Sequence, residues 1–124
     1  MHLGQQEFDR ILFYEHAHKN FKAVYAKNPH DDDNLISWAR VLIELWQFQT
    51  RSDSIKFIKD VVSMLEKALE FNPKKHDAIW SLGNAKTSLA FITKDLEDAK
   101  PYFTRAMQCF QQALEEVFIS TWLF

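Results

Sequence analysis

Ten residues of this chain fall into two matched sets at helical spacing, and the chemistry they offer is that of a binding surface. The first set is Ile36, Arg40, Ile43, Glu44 and Gln47; the second, 44 positions further on, is Trp80, Asn84, Thr87, Ser88 and Phe91. Residues three, four and seven apart share one face of a helix. Each face mixes apolar groups (Ile36, Ile43, Trp80, Phe91) with polar ones (Glu44, Gln47, Asn84). Such a surface suits an amphipathic helix, whose apolar side needs a groove and whose polar side needs scattered acceptors. Arg40 fits poorly against a cationic ligand and is expected at the groove edge. The alternative use of Ile36, Ile43 and Phe91 is packing against a neighbouring hairpin.

Catalytic and metal chemistry find no footing. The sequence has no Gly-rich phosphate loop, no Gly-x-Ser-x-Gly and no His-Glu-x-x-His. His16 and His18 lie two apart, so on a helix they diverge and cannot share a metal. His30 and His76 each sit near a proline, where capping or solvation accounts for them. The acidic run Asp31, Asp32, Asp33 reads as a solvated loop leading into a helix N-terminus. Cys109 is the only cysteine, which excludes an internal disulfide, and it falls on a packed stripe where an inert thiol is expected. No catalytic residue, metal or cofactor is predicted, and no small-molecule substrate.

The elements that must carry the two sets repeat along the chain. Ala17, Phe21, Val24 and Pro29 recur as Val61, Leu65, Ala68 and Pro73, and again as Ala106, Phe110 and Ala113, with Phe118 in the place of the third proline. This is one helix with a packed stripe and a sharp stop, since proline cannot continue a helix and disfavours helical backbone at the residue before it. Five helices follow, over about 7–27, 33–49, 54–71, 76–92 and 96–116. Asp33 or Asn34 is the expected cap of the second, and Ser52 or Asp53 that of the third, after a turn at 50–53. Pro101 is placed in or near the first turn of the fifth, where it is tolerated. Aligned on their prolines, the copies put Ala39 and Gly83 at one position, where a small side chain lets helices approach closely. A fixed period of this kind builds stacked helical hairpins, with the first helix of each pair lining the concave side.

Composition agrees. Two glycines and three prolines in 124 residues leave long helices uninterrupted, and the length supports one domain with a core of its own. The net charge of −2 is spread evenly, so no basic face marks a nucleic-acid partner. Eleven Phe, four Trp and three Tyr exceed what a minimal bundle needs, and most are expected to fill the core. The N-terminal MHLGQQEFDR has neither secretory nor transit character.

The offsets resemble those of the tetratricopeptide repeat, although the period is about 10 residues longer than its unit of about 34. Trp38 stands where that repeat usually has Leu, Trp80 falls one place off its usual Trp, and Lys86 replaces an aromatic. A closer resemblance accounts for the departures. The segments "EFDRILFYEHAHKNFKAVYAKNP", "DDDNLISWARVLIELWQFQ", "NPKKHDAIWSLGNAKTSLAFIT" and "CFQQALEE" look like the plant-type small presequence receptor of the mitochondrial outer-membrane translocase, the TOM complex. The similarity covers residues 5–116.

The resemblance implies an all-α fold: a tetratricopeptide-repeat-like right-handed helical stack, an N-terminal helix plus two elongated helical hairpins. It implies a receptor domain over 1–116, with "VFISTWLF" at 117–124 replacing the expected proline, last helix and membrane anchor. The expected partners are amphipathic presequences, bound at the two residue sets above, and other subunits of the translocase. The expected place is the cytosolic face of the mitochondrial outer membrane. A helical-repeat scaffold or a chaperone-docking adaptor is the alternative. Chaperone-docking repeats use Lys at the positions of Ile36 and Trp80 and Asn at those of Arg40 and Asn84, and only Asn84 matches.

Overall fold

Prolines and carboxylates set several of the helix ends. A computed structural model describes residues 4–46 and 51–122. It contains α1 (Gln5–Lys27), α2 (Asp32–Leu45), α3 (Arg51–Phe71), α4 (His76–Ile92) and α5 (Leu96–Trp122), with no strand among the described residues. The α1 helix ends just before Asn28-Pro29 and α3 just before Asn72-Pro73, as the proline stops require.

Several boundaries differ from the expectation. The cap of α2 is Asp31, whose carboxylate accepts the Asn34 backbone N–H at 3.1 Å. Asn34 uses its side-chain amide elsewhere, donating to the Phe21 carbonyl of α1 at 3.1 Å. Helix α3 already begins at Arg51, so Ser52 and Asp53 lie within it rather than before it. Buried Ser54 closes the α2–α3 connection, its hydroxyl donating to the Trp46 carbonyl at 3.0 Å. Pro101 lies inside α5, beyond its first turn, where its missing N–H removes one helical bond. The α5 helix then continues through Phe118 to Trp122 instead of ending near Glu116, because nothing in "VFISTW" breaks a helix.

Helices adjacent in sequence pack side by side, and α4 also touches α2. The stack therefore reads α1, α2–α3, α4–α5, with α2 and α4 as the first helices of the two hairpins. Its core is aliphatic and central: Leu35, Leu42 and Leu45 of α2, Ile58, Val61 and Leu65 of α3, and Ala85 and Leu89 of α4. Burying one such Leu or Ile side chain stabilises by about 1.5–3 kcal/mol. The ends of the stack are thinner. Helix α1 has no fully buried residue, and α5 buries only Ala99, Ala106 and Ala113.

The small-residue position has a direct cause. A Cβ on Gly83 would lie 2.7 Å from the ring of Phe110 on α5. At the equivalent place in the first hairpin Ala39 is fully buried, and the partner equivalent to Phe110 is the smaller Leu65. The bulkier ring on the second hairpin thus goes with the loss of one methyl opposite it.

Candidate functional site

Charge ties the N-terminal ends of α2 and α4 together. The Lys75 ammonium, just before α4, pairs with Asp32 at 3.6 Å and also with Asp33. The hydrogen bond to Asp33 raises the Lys75 pKa above its ordinary value, against a smaller opposing effect of burial. Two turns further along α2, Arg40 pairs with Asp77 of α4 at 3.3 Å. The acidic run is thus engaged in capping α2 and in holding α4 to it.

Above these ties lies a shallow depression of about 400 Å³ over α2. Arg40, Ile43, Glu44, Trp80 and Asn84, all singled out by their spacing, line it together with Tyr14 of α1. A second depression of about 260 Å³ lies on the other side of Trp80. There Arg40, Asp77 and Trp80 meet Leu114 and Val117 of α5. Trp80 separates the two, 45% exposed, its ring 4.7 Å from that of Phe110 between centroids. Arg40 lines both depressions, and Asp77 balances its charge. A wider depression of about 690 Å³ lies near the α4–α5 turn, and none of the ten residues borders it.

The remaining members of the two sets differ in what they can offer. Ile36 is 3% exposed and belongs to the core beneath the groove. Ile43 is half-buried and packs against that core while lining the depression. Thr87 and Ser88 turn their hydroxyls back onto their own helix, donating to the Gly83 and Asn84 carbonyls at 2.9 and 3.1 Å. Phe91 is 74% exposed and stands edge-on to Phe103 of α5, 5.5 Å between centroids. Gln47 lies outside the described residues.

Spacing alone missed three rings. Tyr14 of α1 borders the depression over α2, and Phe103 and Phe110 of α5 pack against Phe91 and Trp80. The signal for Phe110 was available: it sits at a repeat position held by Leu65 in the other hairpin, opposite a glycine that replaces an alanine. His18 and His30 make structural contacts. His18 accepts the Trp38 indole N–H at Nδ1, 2.7 Å away, and so fastens α1 to α2. Tyr25 packs beside the same indole, and Lys67 of α3 both donates to the Tyr25 hydroxyl at 3.0 Å and lies over its ring. His30 meets Phe71 edge-on at 5.2 Å between centroids. Burial pushes the Cys109 thiol pKa up, which disfavours the reactive thiolate.

Comparison with known proteins adds the following. The family described as "Plant specific mitochondrial import receptor subunit TOM20" matches residues 8–120, four residues past the point where the segments read from the sequence end. "Mitochondrial import receptor subunit TOM20-3" of Arabidopsis thaliana is 46% identical over 112 residues, covering 90% of this chain and 55% of that protein. TOM20-2 and TOM20-4 of the same plant, described in the same words, are 41% identical over 116 residues and 45% over 112. The chain spans about half the length of these relatives, 55% to 59%.

Proposed function

The chain belongs to the plant-specific family of mitochondrial import receptor subunit TOM20, and from that premise we propose that it is the ligand-binding part of an import receptor for amphipathic presequences. The observation that carries this reading is the exposed Trp80 indole, which lines one depression with Tyr14 and Ile43 and is bordered there by Glu44 and Asn84. A presequence helix has an aliphatic side and a cationic side. The rings and Ile43 accept the first, while Glu44 and the Asn84 amide accept the second. The role is binding and not catalysis, and it asks for modest affinity, since a delivered precursor has to be released. Micromolar binding corresponds to about −8 kcal/mol.

By the same premise the receptor works at the cytosolic face of the mitochondrial outer membrane, alongside other translocase subunits. Among the described residues no helix is long and apolar enough to cross a membrane.

Titration of a labelled presequence peptide against the domain, followed by amide chemical shifts, tests the proposal. Shifts are expected at Trp80, Asn84 and Phe91, and Trp80→Ala should weaken binding about tenfold, as loss of a central aromatic anchor does. Unmoved signals at these residues with millimolar peptide would sink it.

A further inference from the structure

Helices α3 and α5 both pack on α4, and their backbones do not approach each other. A trough of about 690 Å³ remains between them at the C-terminal end of α4. Its floor is apolar: buried Leu89 and half-buried Ile92 of α4, with Ile55 of α3 and Tyr102 of α5 partly open beside them. Its rim is cationic. Lys59 comes from α3, Lys94 from the α4–α5 turn and Arg105 from α5, all three exposed. None of the three has an ion-pair partner among the described residues. The carboxylates close by are largely engaged: Glu97 pairs with Lys100 at 3.0 Å, and Asp95 accepts the Glu97 backbone N–H at 2.8 Å. That leaves Asp98 against three cations on the rim.

The internal repeat shows that this charge is no general property of the fold. At 44 positions before Lys59 stands Glu15, and at 45 before Arg105 stands Asp60. The matching places beside the first hairpin thus carry carboxylates where the trough carries cations. In a chain of net charge −2 the trough is a local positive site. Its walls are α3, α4 and the N-terminal half of α5, so the far end of α5 takes no part in it.

We propose that this trough docks an acidic segment of a partner protein, one that alternates carboxylates with apolar side chains. Opposite charge across an interface steers encounter and fixes register, and three cations with no partner of their own ask for it here. The apolar floor takes the intervening side chains. A free phosphate calls for donors converging on one point, whereas these cations stand on three elements around an apolar floor. A bilayer surface is flat, and this site is a trough. A presequence carries positive charge, so the rim turns it away. None of the ten groove residues lines the trough, and the inference stands apart from the presequence reading.

The test uses the whole chain and a short labelled peptide of alternating Glu and Leu, with Lys in place of Glu in a control peptide. The acidic peptide should move the amide signals of Ile55, Ile92 and Tyr102 and leave those of Trp80 and Asn84 in place. Added salt should weaken its binding. Lys59→Glu and Arg105→Asp bring in the carboxylates of the other copy at exposed positions, so the core stays intact. Each should raise Kd about threefold and the double variant about tenfold, as independent surface charges do. Lys22→Glu on α1, also exposed, makes the same change of net charge and should alter Kd less than about twofold. No binding of the acidic peptide, equal binding of the Lys peptide, or wild-type affinity in the double variant overturns the proposal. Saturation of the same shifts by inorganic phosphate alone assigns the trough to a small anion and overturns it too. So does sedimentation with vesicles of anionic phospholipid that the double variant abolishes, if the vesicles bind and the acidic peptide does not.

Discussion

A single methyl group marks where the two hairpins diverge. Gly83 replaces the Ala39 of the first hairpin because the Phe110 ring fills the space a Cβ would need. Helix propensity favours Gly83→Ala by about 1 kcal/mol, yet the ring would have to leave its contact with Trp80. We expect the single variant to lose about 1 kcal/mol, and Gly83→Ala with Phe110→Leu, which restores the Ala39–Leu65 pairing, to recover it. A denaturant-melt double-mutant cycle reads the coupling, and a stabilising single Gly83→Ala refutes the account. Cys109 offers a second test at this scale. Its folded thiol pKa lies above the usual 9.0 because burial disfavours the thiolate. Stability linked to this group is therefore present below the unfolded value and is lost as pH rises through the folded one. Alkylation of native protein at pH 8 should run at least tenfold slower than that of unfolded protein, and equal rates would contradict the burial. The sequence showed the thiol's place on a packed stripe but not the Gly–Phe exchange, which needs both helices in view.

At the scale of elements, α1 is the helix most easily detached. It has no fully buried residue, and its hold on the body runs through Trp38 to His18 and Asn34 to Phe21, with Lys67 reaching Tyr25. Amide exchange in α1 should therefore proceed through openings well below the global stability, whereas α3, with Val61 and Leu65 fully buried, should exchange only with global unfolding. His18→Ala should speed exchange in α1 severalfold and leave α3 unchanged; parallel changes in both would show that α1 unfolds with the rest. Helix ends were legible wherever a residue forbids continuation, as at Pro29 and Pro73. They were less so where a start depends on competing caps: Asp31 takes the role expected of Asp33 or Asn34 because Asn34 is drawn to Phe21. The C-terminal reach of α5 was misjudged because a break in resemblance at Glu116 is not a break in helical propensity.

For the molecule as a whole, periodicity set the direction in which each side chain points but not what lies beyond it. Ile36 and Trp80 hold one repeat position, and one is core while the other is exposed. The difference comes from α4, which covers the first hairpin, while among the described residues no helix lies in that place on the second. Five of the ten residues chosen by spacing converge over α2, and Phe91 faces α5 instead. Of the charged ties between α2 and α4, Lys75 with Asp32 and Asp33 joins their N-terminal ends, while Arg40 with Asp77 joins the middle of α2 to the first turn of α4. Ile43, Glu44 and Asn84 lie beyond them. Toward the other ends, Leu42 and Leu45 of α2 and Ala85 and Leu89 of α4 share one buried core. Added electrolyte screens the charged ties and leaves the core alone, so the hold between the two helices is partly set by the medium and partly by the fold.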